Sequence, residues 1–125
     1  MLRNLLFVSV AAISLAACNS TSLQNNLDTA RAAYDAGFLT PAAKYRQLGY
    51  CATGTKATAA HPCADRQIVA MLRSENTTVI AAFNAWQAQI TAGNTAGANA
   101  AYAALQTAVA AAMGTIANVL PLVGA

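Results

Sequence analysis

The chain has 125 residues, of which 57% are hydrophobic and 9% are charged, and its formal net charge is +3. This composition excludes a disordered chain, which would be polar and highly charged, and the length is that of a single domain. The small basic excess includes no run of basic residues that could follow a phosphate backbone, so we expect no nucleic-acid partner.

Residues 1–17 have the layout of a secretory signal peptide. Arg3 supplies a positive charge, Leu5–Leu15 is an apolar run interrupted by two serines, and two alanines complete the segment. The run is shorter than the roughly 20 apolar residues that a membrane-spanning helix needs. We therefore predict that residues 1–17 are removed and take no part in the fold.

The stretch Leu15-Ala16-Ala17-Cys18 resembles the lipobox of bacterial lipoproteins. The resemblance implies that Cys18 carries a diacylglyceryl group, that the signal is cut before it, and that the new amino terminus is acylated. Two or more acyl chains anchor a protein stably to a membrane. In enterobacterial lipoproteins an aspartate after the cysteine favours the inner membrane, so Asn19 implies the outer membrane. Of the two faces of that membrane, the periplasmic side is preferred to the exterior, although the sequence does not show the orientation. Cleavage elsewhere, with Cys18 incidental, is the alternative.

Three cysteines would leave one unpaired in an oxidising compartment. If Cys18 carries lipid, Cys51 and Cys63 remain, twelve positions apart, and an exported domain is expected to oxidise such a pair. Two reduced thiols or a metal site are the alternatives. His61 is the single histidine and no CxxC spacing exists, so we expect no metal and no cofactor beyond the lipid on Cys18.

A short tether, residues 18–21, is predicted to lead into a helical domain over residues 22–125. The first helix is predicted to start at the N-cap Ser22 and to end at Gly37, a residue type common at helix ends. Its apolar positions recur every three or four residues and share one face: Leu23, Leu27, Ala30 and Tyr34.

The pair Thr40-Pro41 predicts the start of a second, shorter helix, since a capping hydroxyl and a proline at the first helical position are both favoured there. This helix should reach about Tyr50 and bury Tyr45 and Leu48. The segment between Cys51 and Cys63 lacks an apolar period and contains glycine and proline, so it is predicted to be a loop.

Two long amphipathic helices are predicted after the loop, over residues 64–92 and from about residue 95 to Pro121, with a tight turn at Gly93 between them. The short connection predicts an antiparallel helical hairpin. The expected fold class is therefore all-α, a small helical bundle of two shorter helices followed by a long antiparallel helical hairpin, with one disulfide. The alternative is a three-helix bundle in which the Pro41 segment is irregular.

Alanines recur every four residues in the last helix, at Ala96, Ala100, Ala104, Ala108 and Ala112. Such a stripe of small side chains predicts that the two long helices approach closely. The preceding helix offers a matching set at Ala81, Ala85, Ala88 and Ala92.

No charged residue occurs after Glu75. The hairpin therefore needs uncharged polar side chains on its outer face, or it packs its apolar end, residues 119–125, on a partner, a second copy or the membrane. Insertion of residues 108–125 into a bilayer is the least favoured alternative, because the segment is interrupted by Gly114, Asn118 and Pro121.

Candidate catalytic groups are few. Asp28 and Asp35 flank Arg31 and are expected to form a solvated charge stripe, and a lone histidine in a loop is usually a surface residue. We therefore predict no enzyme and no catalytic residue. A pocket between helices near the disulfide loop would be lined by Tyr45, Tyr50 and Trp86, although Trp86 is expected to lie mainly in the core.

The function expected from these features is that of a membrane-anchored bacterial envelope lipoprotein with a structural or protein-interaction role. Its partners would be the membrane, through the lipid anchor, and an envelope protein or a second copy. A small-ligand-binding or inhibitory periplasmic module is the alternative. A phage- or prophage-encoded envelope lipoprotein is a more distant one.

Overall fold

The computed structural model describes residues 20–124, with side chains from Leu23 onward, and Cys18 lies outside the described residues. Its elements are α1 (Ser20–Tyr34), a π-helical turn (Asp35–Leu39), α2 (Thr40–Gln47), α3 (Arg66–Thr91), α4 (Thr95–Val119) and a 3-10 turn (Leu120–Leu122). A disulfide joins Cys51 to Cys63, with the two Cα atoms 4.9 Å apart. The predicted all-α fold class, with its helical hairpin and single disulfide, is confirmed.

The first helix does not end at Gly37, as its sequence predicts, but continues through the π-helical turn into α2. Tyr34 and Thr40 both keep right-handed helical backbone angles on either side of the turn. The Thr40 N–H bonds to the Asp35 carbonyl, and the Thr40 hydroxyl donates to the same oxygen at 3.1 Å instead of capping a new helix. Proline has no N–H and crowds the preceding turn of a regular helix. One widened turn accommodates Pro41, so α1 and α2 form a single rod.

The predicted buried face of α1 is confirmed, because all four of its members are buried: Leu23, Leu27, Ala30 and Tyr34. The described part of the helix already includes Ser20, two residues before the predicted N-cap Ser22, and α2 ends at Gln47, three residues before its predicted end. Tyr45 is fully buried as predicted, whereas Leu48 is only partly buried.

The hairpin of α3 and α4 has the predicted turn and well-defined helix caps. The Asp65 carboxylate accepts the N–H of Gln67 at 2.7 Å at the start of α3, and the Asn94 side chain accepts the N–H of Gly97 at 2.9 Å at the start of α4. Gly93 between them has φ = 70°, a conformation that glycine adopts without steric cost. Local sequence thus fixes the start of each helix and the turn between them.

The two long helices pack against each other, but most of the predicted alanine stripes lie outside their contact. All four alanines of the α3 set are exposed, and in the α4 stripe only Ala108 and Ala112 are buried. The contact uses larger side chains, and the rings of Trp86 and Tyr102 meet edge to face with centroids 5.2 Å apart. Burying a large apolar side chain stabilises the fold more than burying an alanine does, so the large residues decide which faces meet.

Two hydrogen-bonded contacts set the direction of α1 against α3. The side-chain amides of Gln24 and Gln87 donate to each other at 2.9 and 2.7 Å, and the Tyr34 hydroxyl donates to Asn76 at 2.9 Å. The residue numbers run in opposite directions, so α1 and α3 are antiparallel. The start of α1 therefore lies at the same end of the bundle as the α3–α4 turn, and the disulfide loop lies at the other end.

The apolar C-terminal segment packs partly on the protein's own core. Val119 is fully buried, and Leu122 and Val123 are partly buried against the core. One helical stretch among the described residues, Thr95–Leu122, is long and apolar enough to cross a membrane by length and composition alone, a test that the core helix of a soluble protein also passes.

The disulfide closes a loop whose base also carries hydrogen bonds, and its removal tests how much the bridge contributes. The Cys51 N–H donates to the Ala64 carbonyl, and the Ala64 N–H donates to Gly49, both at 2.9 Å. We expect the double change Cys51→Ser, Cys63→Ser to lower the free energy of unfolding by about 2 to 3 kcal/mol, because the unfolded chain regains the entropy of an open loop. Urea unfolding measures this, and a loss below about 0.5 kcal/mol would show that the hydrogen bonds alone hold the loop.

Candidate functional site

A groove lies between the α1–α2 rod and α3, on both sides of the π-helical turn. Its larger hollow, of about 250 Å³, is lined by Arg31, Tyr34, Asp35, Leu39, Ile80, Phe83 and Asn84. Its smaller hollow, of about 70 Å³, is lined by Phe38, Leu39, Ala42, Arg46, Leu72, Arg73 and Asn76. Leu39 belongs to both hollows, so we treat them as one site, called the rod groove below.

The helical periods of the two walls explain why these residues line one groove. On α3 the lining positions Arg73, Asn76, Ile80 and Asn84 follow one another at spacings of three, four and four. Such spacing keeps side chains on one side of a helix. The lining residues of the rod pass through the π-helical turn, where Leu39 sits between the two hollows. Isolated π-helical turns within α-helices are frequent at functional sites.

The floor of the rod groove consists of aromatic rings and a hydrogen bond between two polar side chains. The hydrogen bond from Tyr34 to Asn76 joins a residue of the larger hollow to a residue of the smaller one. The Tyr34 ring stacks on Phe38, with centroids 4.9 Å apart and planes 11° apart, and meets Phe83 at 6.0 Å in a tilted arrangement. Burial raises the pKa of the Tyr34 phenol, and the charges of Glu75 and Asp35 raise it further.

The rim of the rod groove carries three arginines and one carboxylate. The Arg31 guanidinium lies 5.6 Å from the centroid of the Phe83 ring, where a cation is attracted to the ring face. Arg46 and Arg73 are both exposed at the smaller hollow, one on α2 and the other on α3, and neither guanidinium has a hydrogen bond or ion pair within residues 20–124. Asp35 lines the larger hollow.

The polar residues that interrupt the apolar face of α3 take partners from two different helices. Asn76 accepts from Tyr34 on α1, and one carboxylate oxygen of Glu75 accepts from the Thr115 hydroxyl on α4 at 2.5 Å. The other Glu75 oxygen is buried and has no partner among the described residues. This pair of polar residues therefore links α1, α3 and α4 beside the groove.

The structure does not bring Tyr45, Tyr50 and Trp86 together as a pocket. Trp86 lies in the core, 1% exposed, and its indole N–H has no partner in the described part of the chain. Tyr45 is fully buried, and its hydroxyl oxygen accepts the N–H of Asp65 at 2.7 Å. Tyr50 is exposed beneath the Arg66 guanidinium, 4.0 Å from the ring centroid. None of these three tyrosine and tryptophan rings lines either hollow of the rod groove.

The other groups considered for chemistry lie on the surface. Asp28 accepts from Gln24 one turn away at 3.2 Å, and His61 is exposed in the disulfide loop, where its backbone bonds to Thr58. No group of three or more histidine, cysteine, aspartate or glutamate side chains within residues 20–124 is arranged to hold a metal ion.

No protein-family model, curated protein or solved structure matches the chain. The candidate site therefore rests on the geometry of the rod groove alone. Its residues were missed at the sequence level because Gly37 and Thr40-Pro41 predict a break in the rod at the position where the groove has its centre.

The phenol of Tyr34 provides a test of the groove floor. Because its pKa in the folded chain is raised above the ordinary value of 10.0, its contribution to stability is complete below pH 10 and is lost as the pH rises further. We expect Tyr34→Phe to lower the free energy of unfolding at pH 7 by about 1 kcal/mol, through loss of the bond to Asn76, and to make the decline above pH 10 shallower. Urea unfolding at pH 7 and pH 11 measures both.

The matched control is Tyr50→Phe, which removes a hydroxyl from an exposed ring. The free energy of unfolding of this variant should equal that of the wild type at both pH values. If the free energy of unfolding of Tyr34→Phe falls above pH 10 as steeply as that of the wild type, the burial of the Tyr34 phenol has no part in alkaline unfolding.

Proposed function

We propose that the protein is a lipid-anchored bacterial envelope protein that holds an uncharged end at the membrane and presents a basic end to a partner. The observation that carries the proposal is the placement of charge along the bundle. Every charged side chain of the described residues lies between Asp28 and Glu75. The first turns of α1, the last turns of α3 and the first turns of α4 meet at one end, called the anchor end, and carry none.

The anchor end is also the end nearest to Cys18. Two residues of extended chain span at most about 7 Å, so the start of α1 at Ser20 lies close to any lipid attached to Cys18. Ionised groups lose favourable hydration beside a bilayer, whereas an uncharged end has no such cost. The absence of charge at this end, together with the lipobox resemblance, supports attachment at Cys18 with the anchor end toward the membrane.

The opposite end, called the far end, carries a basic excess. It consists of α2, the disulfide loop and the first turns of α3, and it holds Lys44, Arg46, Lys56, Arg66 and Arg73 against Asp65 and Glu75. The 26 residues of α3 extend about 39 Å at 1.5 Å per residue, so the far end stands well clear of the anchor end. A basic surface suits a partner with an acidic one and repels a second copy of itself, which favours an envelope protein over self-association.

A non-catalytic role is part of the proposal. The rod groove is lined by arginine, aromatic and aliphatic side chains, with Asp35 as its single carboxylate. Nucleophilic catalysis requires a nucleophile within hydrogen-bond reach of a base, and the lining residues contain no such pair. The localisation proposed is the outer membrane, with the domain on its periplasmic side.

Intact mass spectrometry of the membrane fraction tests the anchor. We expect a mature chain that begins at Cys18 and carries a diacylglyceryl and an amide-linked acyl group, because two or more chains are needed for stable attachment. The Cys18→Ser variant should be recovered from the soluble fraction. An unmodified Cys18 in a membrane-bound mature chain, or a signal that remains attached, would overturn the anchoring model.

Site-specific photo-crosslinking in intact cells tests the partner. We expect a crosslinker in place of Lys56, at the far end, to capture one envelope protein, and we expect capture to weaken at 0.5 M salt, where charge attraction is screened. A crosslinker in place of Asn99, an exposed residue near the anchor end, is the control and should not capture that protein. Equal capture from both positions would contradict a role for the far end.

A further inference from the structure

We propose that the rod groove binds a single-chain anionic amphiphile, with its carboxylate or phosphate head at Arg46 and Arg73 and its apolar chain in the larger hollow. The inference goes beyond membrane anchoring and partner binding, because it assigns a small ligand to the rod groove, where Arg46 and Arg73 of the far end line the smaller hollow.

The head-group position follows from the two free guanidinium groups. Arg46 on α2 and Arg73 on α3 line the same small hollow from facing helices, and neither has a hydrogen bond or ion pair within the described residues. Guanidinium groups match the paired oxygens of a carboxylate or phosphate, and two of them can share one anion. Because both arginines line the same small hollow, the proposal places the negative head there.

The apolar chain is placed by the side chains around the larger hollow. Leu39, Phe83 and Ile80 line it, and Ile80 is 47% exposed, which makes it one of the few large apolar side chains open to solvent. An apolar chain lying in the hollow would remove this surface from water. The larger hollow is lined by one cation, Arg31, and one carboxylate, Asp35, whereas the smaller hollow is lined by two arginines and no carboxylate, so the head is placed at the smaller one.

The size and the floor of the groove favour a small amphiphile over a protein segment. The hollows hold about 250 and 70 Å³, close to the lower limit of about 300 Å³ for small-molecule pockets. The Tyr34 hydroxyl on the floor is already paired, because it donates to Asn76. An apolar chain can therefore cover the floor without leaving that donor unsatisfied.

Calorimetric titration of the full exported chain with Cys18→Ser tests the proposal free of bilayer lipid. The substitution lies outside the described residues, and export allows the disulfide to form. The probes are decanoate, decyl phosphate and the uncharged decyl maltoside, each below its micellar concentration. We expect at least one anion to bind with a stoichiometry of one, and at least tenfold more tightly than the maltoside.

Charge-matched variants separate the groove from general attraction to a basic protein. The double change Arg46→Gln, Arg73→Gln should weaken anion binding at least tenfold. The double change Lys44→Gln, Lys56→Gln removes the same charge from positions outside both hollows and should alter the affinity for the anion less than twofold. Ile80→Asn, at an exposed position, should weaken binding of the same anion, because it reduces the apolar surface that the ligand's chain contacts.

Binding by decanoate alone would identify a fatty acid as the ligand class, and binding by decyl phosphate alone would identify a phosphate-bearing single-chain lipid. No saturable binding, equal affinity for the maltoside, or an equal loss in the lysine variant would overturn the proposal. None of these results bears on the anchoring model, because the titrated Cys18→Ser variant has no cysteine at that position to carry lipid.

Discussion

The burial of one face of α3 against α4 is the interaction on which the rest of the structure depends. The rings of Trp86 and Tyr102 meet edge to face in the part of this contact nearest the turn, and Val79 is fully buried further along α3. The hydrophobic effect supplies the driving force, and it is not directional. Position along the helices is set by polar contacts, such as the reciprocal amide pair of Gln24 and Gln87 that fixes where the rod crosses α3.

The π-helical turn connects this packing to the candidate site. It lets a helix that contains Pro41 continue, so Phe38 is buried in the core while the next residue, Leu39, lies between two hollows. A helix that ended at Gly37 would leave no continuous rod to form one wall of the groove. The same widened turn thus solves a local steric problem and places Leu39 between the two hollows. Such π-helical turns are frequent at functional sites.

The antiparallel arrangement of the helices decides where the uncharged and charged parts of the chain lie in the bundle. The uncharged start of α1 meets the uncharged end of α3, whereas the basic residues of α2 meet those at the start of α3. A charge pattern that is uneven along the chain therefore becomes uneven along the long axis of the bundle. The proposed membrane end, the proposed partner end and the arginines of the rod groove all follow from this single arrangement.

The sequence by itself determined the all-α class, the buried face of α1 and the hairpin, because helical period, caps and turn glycine are local signals. The pairing of Cys51 with Cys63 was predicted from the cysteine count, with Cys18 assigned to lipid. The sequence did not reveal that the first helix continues past Gly37 or that most of the alanines in the two stripes are exposed. Whether a glycine ends a helix, and which of two faces is buried, depends on the free energy of contacts with distant segments. The rod groove was hidden for the same reason: Arg46 and Arg73 are 27 positions apart and share a hollow only after α2 packs beside α3.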